Sequence, residues 1–368
     1  MANNNENKIL NVPNLRFPEF SGEWVTKSIN DLAVVIGGGT PDTTVKSYWD
    51  GEIQWFTPSE IGKNKYVDSS LRTITEVGLN NSSAKLLPPN TILLSSRATI
   101  GECSLSLREC ATNQGFQCLV SKKCNVDFLY YLIQTKKKDL IRKSCGSTFL
   151  EISANEVRKI QVSVPSDVEQ QKIAELLSLI DERIATQNKI IDKLKSLIKG
   201  LPHKMAEIGL QKGCWEKVLL STVLVERKEL NSELYTVHSV SVSEGVINQI
   251  EYLGRSFAAK DTSNYHVARY GDIIYTKSPT GDFPYGIVKQ SYIEQPVAIS
   301  PLYGVYSPTS FETGVYLHYY FMSSVLAKNY LYPLIQKGAK NTINISNQRF
   351  LENRIALPLK QTDRHNIA

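Results

Sequence analysis

The sequence contains no apolar run of about 18 residues, the length that a membrane-spanning helix requires. Its first ten residues, MANNNENKIL, lack the apolar segment of a secretory signal peptide. Its six cysteines form no C-x-x-C pair, and no histidine stands near them at a zinc-binding spacing. These absences predict a cytoplasmic chain without a metal site, whose cysteines are ordinary thiols in a reducing compartment.

Motifs that would indicate catalysis are also missing. There is no G-x-x-x-x-G-K-[ST] phosphate loop, no nucleophile elbow and no amino-methyltransferase motif of the N-P-P-F or D-P-P-Y type. The five histidines are scattered along the chain. The net charge of +6 is spread evenly, with +2 in each of residues 1–168, 169–212 and 213–368. Any nucleic-acid contact is therefore expected from folded surfaces rather than from a basic tail.

One long segment, residues 169–201, shows a heptad pattern. Apolar residues recur at alternating steps of four and three, with a single polar member, which is typical of a helix that lies along a partner helix. Such a helix would be roughly 50 Å long. An ordinary long helix on a globular core is the alternative. The expected interface residues are Ile173, Leu177, Ile180, Ile184, Gln187, Ile191, Leu194 and Ile198.

The segments on either side of this helix repeat each other in order. Trp24 matches Trp215, and Arg97 matches Lys277, at a spacing of about 180 to 193 residues. A period this long that occurs twice indicates a duplicated domain. The pattern predicts a mixed α/β chain with two duplicated domains joined by the long helix. The expected divisions are a tether at 1–20, a first domain at 21–165, the helix at 166–212, a second domain at 213–358, and a restarted helix at 359–368.

Within the first domain, three segments carry a local signal. Ile29–Ile36 is apolar and predicts a helix or strand that ends at the glycine triplet Gly37–Gly39. Val126–Lys143 has helical periodicity with a basic face, and Ile160–Val164 predicts a strand. The glycine triplet lacks the G-x-G-x-x-G order of a phosphate-binding loop, so a turn with positive φ is expected there.

Several runs, taken in order, resemble the specificity (S) subunit of bacterial type I restriction–modification enzymes. The resemblance covers nearly the whole chain, although the second half has diverged in its residues. The runs are IGGGTPDTTVKSYWDGEIQW (36–55), SSRATIGECSL (95–105), ATNQGF (111–116), GSTFLEIS (146–153) and VPSDVEQQKIAELLSLID (164–181).

The resemblance implies a function without catalysis. Such a subunit binds a bipartite target in double-stranded DNA, with one target-recognition domain on each half-site, and its conserved helices set the spacing. It docks methyltransferase (M) subunits, which bind S-adenosylmethionine and methylate adenine at N6, and a restriction/translocase (R) subunit. No cofactor is expected in this chain itself.

The family carries a second conserved helix after the second domain, and here only its start is present at 359–368. The alternative function is therefore a truncated or silent scaffold that cannot assemble without a second helix. A further possibility is that a second S chain or a separate short chain supplies that helix.

Candidate DNA-contacting residues lie in polar turns at matched positions of the two domains. Arg97 suits guanine or a phosphate, with a surface ion pair as the alternative. Asn113 and Gln114 can pair with adenine, or can cap a turn. The basic run at 136–143, which carries Tyr130 and Tyr131 on the same predicted helix, either follows the phosphates or is a solvated face. The full candidate set is Arg97, Thr99, Asn113, Gln114, Ser147, Thr148, Lys277, Lys340, Asn341 and Thr342.

Overall fold

The structure, a computed structural model, describes residues 11–146, 150–255, 259, 261–337, 343–360 and 363. The chain divides into two compact units, Met1–Thr186 and Gln187–Ala368. Each unit mixes strands with helices around its own apolar core. The expected mixed α/β class with one long helix is confirmed. Most of the predicted restart at 359–368 lies outside the described residues.

The first unit contains ten strands and five short helices among its described residues. Its strands are β1 (Val25–Ser28), β2 (Ala33–Gly37), β3 (Trp49–Phe56), β4 (Tyr66–Val67), β5 (Arg72–Ile74), β6 (Ile92–Leu94), β7 (Cys103–Ser106), β8 (Cys110–Thr112), β9 (Gln117–Ser121) and β10 (Gln161–Val164). Its helices are α1 (Ile29–Leu32), α2 (Glu76–Asn80), α3 (Val126–Thr135), α4 (Lys137–Arg142) and α5 (Ala154–Arg158). Two 3₁₀ turns span Lys46–Tyr48 and Pro58–Glu60.

The strands of the first unit form three sheets. The largest has the order β2-β9-β6-β7-β4, a second has the order β5-β3-β8, and β1 pairs with β10. Most neighbours are antiparallel, but β4–β7 and β3–β8 are parallel. The main core lies between the five-stranded sheet and α3, where Leu119, Phe128 and Ile133 are buried.

Two segments of the first unit differ from the expectation in detail. The apolar segment Ile29–Ile36 is one helical turn followed by a strand, because Ser28 and Asp31 form a capping box that starts α1. The helix expected over Val126–Lys143 is two helices. It breaks at Lys136, whose φ of −93° and ψ of 7° leave the helical region, and no proline or glycine marks the break.

The second unit contains twelve strands and four short helices among its described residues. Its strands are β11 (Trp215–Leu219), β12 (Leu224–Glu226), β13 (Val237–Ser241), β14 (Gly245–Asn248), β15 (His266–Ala268), β16 (Ile273–Tyr275), β17 (Val288–Gln290), β18 (Val297–Ile299), β19 (Gly304–Pro308), β20 (Gln336–Lys337), β21 (Ile343–Asn344) and β22 (Arg354–Pro358). Its helices, numbered after the long helix α6 (Asp167–Gln211), are α7 (Gln249–Leu253), α8 (Phe311–Met322), α9 (Ser324–Leu331) and α10 (Asn347–Phe350). Two 3₁₀ turns span Leu220–Thr222 and Tyr332–Leu334.

The sheets of the second unit have the orders β12-β19-β16-β17 and β14-β13-β18-β15, with pairs β11–β22 and β20–β21. Its core is aromatic. The ring of Phe350 lies 4.6 Å from that of Tyr275, 4.9 Å from Tyr306 and 5.9 Å from both Phe321 and Tyr330. Aromatic pairs in such offset and edge-on geometries stabilise a core beyond their buried area.

The two units repeat the same construction, as the sequence repeat predicts. In each, the first strand pairs antiparallel with the last, as β1–β10 and β11–β22. In each unit a tryptophan at or next to the start of the first strand packs edge-on against an aromatic ring of a helix, α3 in the first unit and α8 in the second. These pairs are Trp24 with Phe128 at 6.4 Å and Trp215 with Tyr316 at 5.6 Å.

Helix α6 has 45 residues, which corresponds to about 68 Å. It continues through Gly200 and Pro202, beyond the end of the heptad pattern. At its start Ala174 is buried in the core of the first unit, and near its end Pro202, Ala206 and Gly209 are buried. Every residue from 179 to 201 is exposed.

Candidate nucleic-acid interface

Four turns of the first unit, distant in sequence, meet at one edge through backbone hydrogen bonds. The amide of Ile152 donates to the carbonyl of Ser96 at 3.0 Å, and the amide of Ser96 donates to Gly115 at 2.8 Å. The amide of Gly39 donates to Thr112 at 2.8 Å. The turns that carry Arg97, Asn113 and Gln114 are therefore fixed next to one another and next to the glycine turn.

Arg97 forms an ion pair at this edge. Its Nη2 lies 2.9 Å from Glu151 Oε2, and the two side chains are 42% and 38% exposed. The Arg97 Nε atom is buried and has no hydrogen-bond partner among the described residues. The exposed Thr99 donates its hydroxyl to Ser95 Oγ at 3.1 Å. A DNA contact by Arg97 stays a prediction, and it requires a phosphate or base to compete with Glu151.

The side-chain amides of Asn113 and Gln114, in the next turn, differ in how free they are to contact DNA. Asn113 Oδ1 accepts a hydrogen bond from the amide of Gly115 at 2.9 Å, so part of its side chain stabilises its own turn. Gln114 is exposed, and its Oε1 accepts from the hydroxyl of Thr40 in the glycine turn. Pairing with adenine needs both the oxygen and the nitrogen of an amide. Gln114 is therefore the better placed of the two, because only a surface hydroxyl must be displaced.

The glycine triplet is required for close packing rather than for positive φ. None of Gly37, Gly38 and Gly39 has positive φ, so the expected turn conformation is wrong. A Cβ at Gly38 would lie 2.0 Å from the carbonyl oxygen of Asn113, and one at Gly39 would lie 2.3 Å from the amide nitrogen of Ala84. The missing side chains let the backbone of this turn contact the Asn113 turn directly.

Three basic side chains of the run at 136–143 lie next to acidic side chains. Lys137 pairs with Glu102, Arg142 pairs with Asp139 at 2.8 Å, and Lys143 lies 3.9 Å from Glu156. Tyr130 is buried in the core. The arrangement favours the solvated-face alternative over contacts with phosphates.

Lys277, the match of Arg97 in the second unit, is half-buried and has a φ of +62°. Its backbone packs against Gly286, where a Cβ would lie 2.7 Å from the Lys277 nitrogen. Burial lowers the pKa of Lys277, and the nearby Glu226 opposes that shift. Lys277 forms no ion pair among the described residues, in contrast to Arg97. Its role in DNA binding stays a prediction.

The remaining predicted contacts fall in two matched loops. Ser147 and Thr148, as well as Lys340, Asn341 and Thr342, lie outside the described residues. The flanks of both loops are described. Cys145 forms a β-bridge with Glu151 in the first unit, and β20 pairs with β21 in the second. In both units, therefore, the described segments before and after the predicted loop pair with each other.

Sequence reasoning missed two groups that hold α6 to the first unit. The buried Glu169 accepts hydrogen bonds from Arg16 at 2.8 and 2.7 Å and from Trp24 Nε1 at 3.3 Å. The ammonium of Lys172 lies 4.8 Å from the ring of Phe17. Part of the expected tether is thus packed on the first turns of α6. No local sequence signal links positions so far apart.

The second group surrounds Tyr131, whose hydroxyl donates to Asp181 Oδ2 at 2.7 Å. The ammonium of Lys65 lies 4.7 Å from the Tyr131 ring and donates to Ser178 at 2.8 Å. Burial alone would lower the pKa of Lys65, but hydrogen bonds to Asp127 and Tyr131 raise it. These contacts fix how α6 leaves the first unit.

Of the predicted helix-interface residues, Ile173 and Leu177 are half-buried, and Ile173 packs on the core of the first unit. The others, from Ile180 to Ile198 and including Gln187, are exposed. Within the described part of the chain, no cluster of three or more histidine, cysteine or acidic residues could hold a metal ion. No described helix is long and apolar enough to cross a membrane.

Comparison with known proteins shows sequence similarity in the first half of the chain. Residues 21–196 match the family model of the type I restriction modification DNA specificity domain. The chain is 39% identical over 180 residues to the type I restriction enzyme MjaIX specificity subunit of Methanocaldococcus jannaschii, covering 47% of this chain and 42% of that one. It is 31% identical over 199 residues to the EcoR124I/EcoR124II specificity subunit of Escherichia coli, covering 52% and 46%. The chain thus spans less than half the length of these relatives.

Similarity of fold extends over both units. The crystal structure of a type I restriction–modification system S subunit from M. genitalium matches with a TM-score of 0.52 at 14% identity, covering 94% of this chain and 87% of that one. A structure from a study of type I complex assembly and conformational transition matches with a TM-score of 0.51 at 13% identity, covering 94% and 88%. At these identities the likeness shows a shared fold.

Proposed function

We propose that this chain, in which residues 21–196 match the family model of the type I restriction modification DNA specificity domain, is a DNA-recognition subunit that binds a bipartite target. Each unit binds one half-site in double-stranded DNA, and α6 sets the spacing between them. The chain directs partner subunits to the site and performs no chemistry itself.

The partners follow from the same proposal. Methyltransferase (M) subunits bind S-adenosylmethionine and methylate adenine at N6, and a restriction/translocase (R) subunit joins for cleavage. A second copy of this chain is a further proposed partner. The complex acts on DNA in the cytoplasm.

The observation that carries the proposal is the polar edge of the first unit. Arg97, Thr99, Asn113 and Gln114 come from two turns that backbone hydrogen bonds join, and each carries a donor or acceptor suited to DNA. Gln114 and Thr99 are exposed, and Arg97 is held by a single partly exposed carboxylate. Surface ion pairs of this kind contribute about 0–1 kcal/mol, so DNA can compete for the guanidinium.

The first experiment is single-molecule methylation mapping of cells that carry this gene with its methyltransferase, compared with cells that lack it. We expect a split motif with N6-methyladenine that depends on the gene. A gene-dependent motif that is not split or carries no N6-methyladenine, or the absence of any such motif, contradicts the proposal.

A second experiment tests the edge by binding of the assembled complex to DNA that carries the mapped motif. Arg97→Ala should weaken binding or relax specificity at one base pair by about 1–3 kcal/mol. Arg108→Ala is the matched control, because Arg108 forms a similar exposed ion pair with Asp68 in the same unit. Glu151→Gln, which removes the competing carboxylate, should strengthen binding. Equal binding by the Arg97 and Arg108 variants would exclude Arg97 from the interface.

The silent-scaffold function is the second candidate. The exposed apolar residues of α6 favour it, because an uncovered apolar stripe indicates a missing partner. In that case the purified chain fails to assemble with its methyltransferase, and no motif is methylated.

A further inference from the structure

An exposed arginine of the first unit, Arg72 at the start of β5, lies on the ring of a tryptophan. Its guanidinium carbon is 3.6 Å from the centroid of the Trp49 ring. Among the described residues, its side chain has neither a carboxylate within ion-pairing distance nor a hydrogen-bond partner. A contact of this length places the guanidinium against the face of the indole, so its N–H donors are free for other acceptors.

The tryptophan beneath this guanidinium is held in place by its surroundings. Trp49 is 6% exposed, and its Nε1 donates to the carbonyl of Asp42 at 3.1 Å. Its ring packs edge-on against Trp55, with the centroids 5.1 Å apart. The Nε1 of Trp55 in turn donates to the carbonyl of Gly39 at 2.9 Å. The indole therefore positions the cation before any ligand arrives, which reduces the entropy lost on binding.

Hydrogen bonds also fix the turn that leads into β5. The amide of Trp55 donates to Ser70 Oγ at 2.9 Å, and the amide of Ser70 donates to Gln54 Oε1 at 2.7 Å. The amide of Leu71 donates to Glu60 Oε1 at 2.7 Å. The backbone at the start of β5 is thus fixed as firmly as the ring on which the arginine lies.

The start of β5 lies at the same edge of its sheet as the Asn113–Gln114 turn. Arg72 and Ala111 both lie opposite Trp55, on the antiparallel strand β5 and on the parallel strand β8. Their Cα atoms are therefore about 10 Å apart, which is two strand spacings. Strand β8 then leads directly into the Asn113–Gln114 turn. About three base pairs of DNA cover the same distance, so one half-site can contact both positions.

We infer that Arg72 is a further DNA-contacting residue of the first unit. Its guanidinium binds two acceptors that lie side by side, either oxygens of one phosphate or O6 and N7 of guanine. Arg97 has to leave Glu151 before it can bind DNA, whereas Arg72 has no carboxylate to exchange. The inference rests on the proposed function and adds one specific contact at the polar edge already described.

The test is binding of the assembled complex to DNA that carries the mapped motif. Arg72→Ala should weaken binding about 5- to 150-fold, and it should fold because Arg72 is exposed. Arg142→Ala is the matched control, because it removes the same charge from an exposed arginine of the same unit that pairs with Asp139. This control should bind nearly as well as the native chain. Arg72→Lys keeps the charge but loses the planar guanidinium, so its affinity should lie between those of Arg72→Ala and the native chain.

Salt and sequence dependence distinguish the two kinds of acceptor. For a phosphate, Arg72→Ala should weaken binding equally on all single-base-pair variants of the motif. The slope of log K against log salt concentration should then fall by about 0.9. For guanine, the native chain should discriminate at one G·C pair, and Arg72→Ala should lose that discrimination.

Three results would overturn the inference. Equal binding by the Arg72→Ala and Arg142→Ala variants would exclude Arg72 from the interface, while the proposed function would stand as long as the native complex binds its motif. Full binding by Arg72→Lys would show that charge alone is sufficient and would refute the role of the stacked guanidinium. A native complex that binds no DNA would refute the proposed function and the inference together.

Discussion

Gly200 and Gly209 lie on the same helix, and replacing each by alanine should change the free energy of unfolding in opposite directions. A Cβ at Gly200 would meet no atom within 4 Å. Gly200→Ala should therefore stabilise the chain by about 1 kcal/mol, the gain in helix propensity. A Cβ at Gly209 would lie 2.2 Å from both Cγ and Cδ1 of Trp215. The rigid indole, which packs on Tyr316, would have to move.

Overpacking of this kind costs about 1–3 kcal/mol, which exceeds the same gain in helix propensity. Gly209→Ala should therefore destabilise the second unit by about 1 kcal/mol, which leaves a difference of about 2 kcal/mol between the two variants.

Urea unfolding followed by ¹⁹F NMR of fluorotryptophan-labelled protein measures this difference. Trp215 is the only tryptophan of the second unit, so its resonance reports on that unit separately from Trp24, Trp49 and Trp55. All variants are compared at one protein concentration, because association changes the apparent stability. If Gly209→Ala unfolds at the same or a higher urea concentration than Gly200→Ala, the close contact with Trp215 does not limit position 209, and the reasoning is refuted.

Two further predictions concern titratable groups. Burial and then the nearby Lys289 lower the pKa of His318 from 6.5 to about 4. The unfolded state therefore binds more protons between these values, so stability is complete above the unfolded pKa and falls as pH drops through this window. His318→Gln keeps an acceptor for the amide of Gln290. In this variant the free energy of unfolding, measured by urea titration at several pH values, should depend less on pH across the window. An unchanged pH dependence would show that other groups cause it. Burial raises the pKa of Cys103, Cys110, Cys118 and Cys124 to about 12, whereas Cys145 and Cys214 are exposed. Mass spectrometry after alkylation of the folded protein should thus find two modified thiols, and a third before unfolding would contradict the buried positions.

The long helix and the repeat could be predicted from the sequence because both depend on periodic patterns. The heptad seam identified α6, and the order of matched residues predicted two similar units. The heptad pattern stops at residue 201 and does not predict the end of the helix, although the expected division of the chain placed the helix at 166–212. Gly200 and Pro202 signal a stop in sequence, yet the helix continues to Gln211. Pro202, Ala206 and Gly209 are buried there, so tertiary packing overrides the local preference.

The polar residue types of the candidate interface could be predicted from the sequence, but the partners of their side chains could not. Polar turns at 95–101 and 113–115 are visible in the sequence. That Arg97 would pair with Glu151 depends on a long-range β-bridge between the two residues. The same holds for the Tyr131–Asp181 contact, which joins residues 50 positions apart. Periodicity carries no information on such partners, because they are set by strand register and helix placement.

The pairing of the first and last strands in each unit has a consequence for the exchange of segments between related genes. Val25 lies opposite Val164 in the first unit, and Trp215 lies opposite Pro358 in the second. Each unit therefore enters and leaves at the same place and closes on itself. A segment with adjacent ends can be exchanged for another of the same kind, or tolerate relocated termini, with little disturbance elsewhere. Recombination between genes at β1 and β10 would then replace the segment between these strands as a whole. The Arg16 and Trp24 contacts to Glu169 lie outside that segment and would be kept, whereas the Tyr131 contact to Asp181 would be kept only where Tyr131 recurs.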